Sequence, residues 1–404
     1  MKGTTNIMLK NENIKGLKDE YLELAQSDEN NRRKSMWKEL ARSGRDQFRA
    51  TPKSDRSWKD GLIPITVDIQ NPTWAKIFNF NMQDFYFNSE LYLENYFKIM
   101  LYRFKNFKDD TFLTMDIPMW GSCALEGSLF NIKYYVFEDK DPWLDLNSVI
   151  NNRDDLKRAP EIDFMTSGVM PLLIKTYEGI CELCGDEFGV LFPEWIRSPF
   201  GVAVYVRGYE NLLIDMLKDE DFYNDYMRYI VDSRKNWFKG LEKYLGEPVI
   251  KANLYNDEIS SLMLSPKMYK EKIFPIEQEL CDFHGGLHYW HSCGDVSDLT
   301  EEIAKLTNID LFNVGPWTSA YKSGISFKDK APLEICMNPQ SDILEGTGQS
   351  MQKRLSDLLK ECYSSDVAGM GFKISALNAR GNLDEVINKI KLWIDIARQI
   401  SKNH

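Results

Sequence analysis

Hydrophobic positions along the chain follow two rhythms. In the C-terminal half, short runs rich in apolar and β-branched residues (Val249–Leu254, Leu287–Trp290, Asp310–Val314, Leu333–Met337 and Met370–Ile374) read as strands. Each is followed by a segment of helical period. Ser265 and Pro266 mark the start of a helix running toward Gly285, with a kink expected at Pro275. Leu299, Ile303 and Leu306 share one helical face, as do Met351, Leu355, Leu358, Leu359 and Cys362. The last helix is the most sharply marked: Asn382 caps it, Asp384 and Glu385 occupy its first turn, and Val386, Ile387, Ile390, Trp393, Ile394 and Ala397 form its apolar stripe. Leu172 to Cys184 is also helical, stopped by Gly185. Leu173, Tyr177, Ile180 and Cys184 share a face there, so the Cys181-x-x-Cys184 spacing reads as core packing before redox or metal chemistry.

Strand-then-helix units recurring roughly every 25–40 residues imply parallel strands, because a parallel pair needs a crossover of that kind. Five such units, with room for three more upstream, predict a (β/α)8 TIM barrel, with an open doubly wound sheet as the alternative. No G-x-G-x-x-G follows a strand, which removes the main support for a dinucleotide site. The first sixty residues differ from the rest, being dense in charge and poor in β-branched side chains, with helical stretches around Leu17–Ala25 and Asn31–Ser43. Residues 1–60 are therefore expected to form a helical arm, or else a partly disordered tail, on a barrel spanning 61–404.

Composition narrows the function classes. With 404 residues, 43% of them hydrophobic, the chain can bury a large core. No apolar run is long enough for a membrane span, and the N-terminus lacks a signal-peptide core, so a cytoplasmic protein without a membrane partner is expected. The 50 Lys and Arg against 61 Asp and Glu, a net charge of −11, argue against nucleic acid. Seven cysteines in a chain this long are not a disulfide framework, and thiol or metal chemistry is the better expectation. Cys123, Cys281, Cys336 and Cys362 stand among apolar neighbours and read as small buried hydrophobes. Aromatic residues are unusually many: ten Trp, nineteen Tyr and twenty-two Phe.

Barrel enzymes take their functional residues from the C-terminal ends of strands. Here those ends read Asn256-Asp257-Glu258, His291-Ser292-Cys293-Gly294-Asp295, Gly315-Pro316-Trp317, Asn338-Pro339-Gln340-Ser341-Asp342 and Ser375-Ala376-Leu377-Asn378. Residues two apart on a strand share a face, so His291 and Cys293 present an imidazole and a thiol together, a pair suited to zinc. A packed histidine beside a buried cysteine would show the same three residues. Asp68 and Asp116 each end a strand-like run, Ile63–Val67 and Phe112–Met115, and would sit at the barrel mouth, in a functional or a capping role. Trp120, Glu126, Trp195 and Arg197 are further candidates for the mouth, with Tyr255, Trp290 and Trp317 at or next to strand ends; any of the tryptophans could instead be core.

Several blocks in order carry a resemblance. Arg197-Ser198-Pro199-Phe200-Gly201 with Arg207-Gly208-Tyr209-Glu210, then Asn256-Asp257-Glu258, Leu264-Ser265-Pro266-Lys267-Met268-Tyr269, Phe274-Pro275, His284-Gly285 and Trp290-His291-Ser292-Cys293-Gly294-Asp295-Val296 resemble the uroporphyrinogen decarboxylase superfamily. The closer likeness is to its cobalamin-linked methyltransferases. The resemblance covers roughly residues 60 to 400 and implies a barrel with a funnel-shaped site. Those methyltransferases hold zinc with a His-x-Cys pair, matched by His291 and Cys293, and a distant cysteine near the last strand. That cysteine has no counterpart, since Leu377 or Asn378 stands in its place. An oxygen donor is then required of Zn2+ or another divalent metal, from Glu258, Asp257, Glu126 or Asn378. Decarboxylation of a porphyrinogen is disfavoured, because the arginine-rich N-terminal motif of the true decarboxylases is absent.

The resemblance implies a methyltransferase that passes a methyl group to a corrinoid protein. The harder ligand set and the aromatic-rich mouth suit a small, aromatic methoxylated substrate, which would make the chain the O-demethylase component of such a system. No cobalamin-binding domain is visible, so the cobalamin would arrive on that partner. Two alternatives stay open. One is a metal-assisted decarboxylase, hydrolase or C–C lyase of a small cyclic or aromatic acid, with Asp257 or Glu258 as catalytic acid or base; the other is a barrel that binds without catalysing.

Overall fold

The computed structural model describes residues 2–40, 48–145 and 147–402, with the backbone alone at 2–12, 39 and 40. Eight parallel strands organise the chain: β1 (Ile65–Ile69), β2 (Asp116–Pro118), β3 (Gly189–Leu191), β4 (Ala252–Tyr255), β5 (Leu287–His291), β6 (Phe312–Val314), β7 (Leu333–Met337) and β8 (Met370–Leu377). Six form one curled sheet in the order β1-β8-β7-β6-β5-β4, and β2 pairs with β3. The pair is tied to both edges of the sheet. Asp110 N donates to Ile65 O of β1, while Tyr255 N of β4 donates to Ile196 O and Ser198 N to Tyr255 O. The result is the expected (β/α)8 barrel, with helices such as Pro199–Arg207, Phe274–His284, Gly348–Ser365 and Leu383–Lys402 outside it. Inward residues alternate with residues that face the helices, as the pleat requires.

The helix patterns translate directly where the caps are strong. Asn382 accepts from Asp384 N at 2.9 Å, and Val386, Ile390, Trp393, Ile394 and Ala397 are buried. Ser265 accepts from Met268 N, but the helix it opens is interrupted by a π-turn at Tyr269–Ile273 and restarts at Phe274, where Pro275 sits in a first turn that needs no N–H from it.

Two expected elements take another form. Phe112–Met115 is no strand, because the arm captures its backbone: Asn30 Oδ1 accepts from Leu113 N at 2.7 Å and Tyr21 Oη from Thr114 N at 3.0 Å. The strand begins at Asp116, which places that carboxylate at the closed, N-terminal end of the barrel and not at its mouth. In the arm, the expected Asn31–Ser43 helix ends at Lys34, and Trp37–Leu40 pairs antiparallel with Ala50–Pro52; residues 41–43 lie outside the described ones. Trp37, Ala50 and Phe112 form a small core of their own, and Trp37 Nε1 donates to Asp110 O. This hairpin covers the N-terminal end of the barrel, with Lys53 O and Pro52 against Gly369 and Gly371 of the chain entering β8. From it, Arg49 reaches into the barrel interior.

Candidate active site

The strand ends that the sequence marks do converge. A cavity of about 240 Å³ opens at the C-terminal end of the barrel. It is walled by Trp120, Tyr255 and Tyr289, with Asp68, Arg197, Asp257, His291 and Cys293 supplying charge and ligand atoms. His291 ends β5, and Asp257 lies just beyond the neighbouring β4, paired in register with it through Tyr255 and His291. His291 Nε2 stands 3.1 Å from Asp257 Oδ1 and 3.3 Å from Cys293 Sγ. The three ligand atoms lie within 4.8 Å of one another. Tetrahedral zinc with bonds of about 2.0–2.3 Å has ligand–ligand edges of about 3.3–3.7 Å. These separations are close to that, and the oxygen, nitrogen and sulfur donors fit zinc.

Electrostatics divide the adjacent carboxylates. Burial opposes the Asp257 charge, yet His291 and Arg197 hold its carboxyl well below the usual range. Burial pushes Glu258 up, with the Asp257 charge adding to the push, even though Arg197 Nη1 donates to Glu258 Oε1 at 2.5 Å. One carboxylate is thus kept ionised beside the histidine and the other favours its proton, a division that suits a ligand next to a proton carrier. The protein around Cys293 and the Asp257 carboxylate both push its thiol up, whereas a bound cation has the opposite effect.

Other candidates fall in different places. Glu258 turns to Arg197 and away from the ligand cluster, and Asn378 is exposed, its Oδ1 accepting from Thr73 Oγ1. Glu126 is fully buried and accepts from the Ile196 and Arg197 amides at 2.9 Å each, so it fixes the backbone that carries Arg197. Trp195 packs between Phe130 and Trp237. Trp290 is one residue out of phase with His291, so it faces the helix layer, stacked on Phe312 with Nε1 bonded to Glu277. Trp317 is 62% exposed and outside the cavity lining. Asp68 does line the cavity, with Oδ2 accepting from Ala376 N at 3.1 Å. Cys123, expected in the core, is half-buried and lines the cavity too.

Sequence reasoning missed Arg49, Glu334 and Lys373. Arg49 lies with its guanidinium 3.6 Å over the Tyr289 ring, and Lys373 Nζ is 3.2 Å from Glu334 Oε1. The available signal was a single charge inside an apolar strand run, as in Leu333-Glu334-Ile335 and Phe372-Lys373-Ile374, where a charge has to point into the barrel beside a partner.

The family model described as Uroporphyrinogen decarboxylase (URO-D) matches residues 118–392. Among solved structures, a methyltransferase from Methanosarcina mazei superposes with a TM-score of 0.60 at 12% identity, covering 85% of this chain and 96% of that one. At that identity the likeness is one of fold. No curated protein matches the sequence. No helix among the described residues is long and apolar enough to cross a membrane.

Proposed function

The chain belongs to the uroporphyrinogen decarboxylase family, and on that footing we propose that it is a zinc-dependent methyltransferase, passing a methyl group from a small methoxylated aromatic compound to a corrinoid carried by a partner protein. The observation that carries this reading is the convergence of Asp257, His291 and Cys293 in the cavity lining. These three residues would hold the zinc, with Asp257 in the part of the absent cysteine. Zinc, when bound, supplies Lewis acidity at the ether oxygen. Replacing a thiolate ligand by a carboxylate makes the site harder, which favours an oxygen-bound methyl group over a sulfur-bound one.

The chain's own residues do the rest. A cavity of about 240 Å³ is small, and the faces of Trp120, Tyr255 and Tyr289 suit one flat ring. Arg197 lines the cavity and offsets the charge of the two carboxylates, and Glu258, held behind it, fixes the guanidinium in place. Gly201 makes room for that carboxyl: a Cβ there would stand 2.5 Å from Glu258 Oε2.

Metal analysis of the purified protein, followed by an assay for phenol release from methoxybenzoates and methoxyphenols with a reduced corrinoid protein, tests the reading. Stoichiometric zinc and corrinoid-dependent phenol release are expected. Absence of zinc together with unchanged behaviour of His291→Ala would overturn it; turnover of an aromatic acid without any corrinoid would favour a lyase or hydrolase.

A further inference from the structure

Behind the ligand cluster lies a buried polar group that the proposed chemistry does not use. Glu334 of β7 points into the barrel, where Lys373 Nζ stands 3.2 Å from its Oε1 and Asn313 Nδ2 3.4 Å from its Oε2. The Tyr289 hydroxyl donates to the same Oε2. Its oxygen is also 3.3 Å from His291 Nδ1. Arg49, brought in by the arm, covers the Tyr289 ring. Burial works against the Glu334 charge, but Lys373 and Arg49 hold its carboxyl down at about 2.

An ionised carboxylate only accepts, and a phenol has one proton to give. With that proton committed to Glu334, the Tyr289 oxygen can meet His291 only as an acceptor. We infer that Glu334, acting through Tyr289, fixes a proton of His291 on Nδ1 and so leaves Nε2, the nitrogen that faces Asp257 and Cys293, as the one a metal can take in place of a proton. The inference rests on the metal reading of the site. Glu334 and Tyr289 are positioning residues. They choose which imidazole nitrogen is available, as outer partners of metal-bound histidines do, and Arg49 and Lys373 keep Glu334 an acceptor.

A double-mutant cycle read as zinc affinity tests it. In Glu334→Gln the carboxamide can donate to the phenol oxygen, which frees the Tyr289 proton for Nδ1 and drives the histidine proton to Nε2. Competition with a chromophoric chelator should show a zinc Kd about 10–100-fold weaker in Glu334→Gln and in Tyr289→Phe. Tyr289→Phe/Glu334→Gln should be no weaker than Tyr289→Phe alone, since without the phenol the carboxylate has no route to the imidazole. Losses that multiply would overturn the inference, because a direct pull of the Glu334 charge on the metal survives removal of the hydroxyl. A second measurement needs no metal and no variant. Nitrogen-15 spectra of histidine-labelled, metal-free wild-type protein should show His291 Nδ1 protonated at pH 8, and an unprotonated Nδ1 overturns the inference on its own. A wild-type chain that takes up no zinc would sink the proposed function while the spectra still decide the tautomer.

Discussion

Gly201 lies directly against the Glu258 carboxylate: a Cβ built on it would stand 2.5 Å from Oε2 and 2.9 Å from Cγ of Arg197, the residue that binds Glu258 from the other side. Neither neighbour can withdraw without breaking the ion pair. Gly201→Ala is therefore expected to fold, to lose about 1–3 kcal/mol in urea unfolding through overpacking, and to lower corrinoid-dependent turnover more than zinc content. A variant with wild-type turnover would show that the Arg197–Glu258 pair has no part in the reaction.

Zinc that binds only the folded chain stabilises it by mass action, about 4 kcal/mol when free metal is 1,000 times Kd. Adding zinc to chelator-treated protein should raise Tm by several degrees, and His291→Ala, Cys293→Ser and Asp257→Ala should each abolish most of that rise. Glu258→Gln, whose carboxylate lies outside the ligand cluster, and Asn378→Ala, whose side chain bonds Thr73 outside the cavity lining, should retain it. Retention of the full rise in Asp257→Ala would remove Asp257 from the ligand set.

Glu277 gives a pH-dependent signature away from the metal cluster. It is buried on the helix behind β5, and burial pushes its carboxyl up to about 7 although Tyr269, Trp290 and Asn256 all donate to it. A raised carboxyl favours folding below its ordinary value and loses that contribution as the pH rises through the folded value. Glu277→Gln should therefore gain stability relative to wild type between pH 4.5 and about 7, by up to about 3 kcal/mol, and then level off. The Asn256 amide can turn to meet the new NH2 group. A difference that stays flat across this window, in denaturant melts at several pH values, would show that the three donors keep Glu277 ionised.

The tryptophans separate by position. Trp317→Ala should change stability by no more than about 0.5 kcal/mol, as for an exposed side chain without partners in the core. Trp290→Ala should cost about 3–5 kcal/mol, since it empties a buried site and takes a donor from Glu277. Trp120→Ala should instead raise KM for a flat substrate, because Trp120 walls the cavity. Urea unfolding and steady-state kinetics distinguish the three.

Local rules carried the reading where the signal was local. The span of β7, Leu333–Met337, and the Asn382 cap are legible because alternation and capping act over a few residues. The His291 and Cys293 pair is legible for the same reason. Choosing the oxygen donor is another matter: Asp257 and Glu258 are neighbours, and only the path of the chain after Tyr255 decides which one turns to the histidine. Arg49 was out of reach, since its partners lie some 200 to 300 residues away and the intervening pairing leaves no trace in local pattern. The inward charges Glu334 and Lys373 did leave one, a lone charge in an apolar strand, which reads as noise until its partner strand is known.

The hairpin that closes the N-terminal end of the barrel also constrains when the site can exist. Arg49 is made early by the ribosome, yet the ring it covers is on β5 and the carboxylate it supports is on β7. Lys53 and Pro52, just beyond it, rest on β8, which emerges last. Tyr21, Asn30 and Trp37 can dock on residues 110–114 early, but the Arg49–Lys53 end of the hairpin cannot complete its contacts until β8 has been made. A chain stopped before β8 would carry the His291 and Cys293 pair but lack Lys373, the partner of Glu334 behind it, so nascent or truncated forms would be poor competitors for metal.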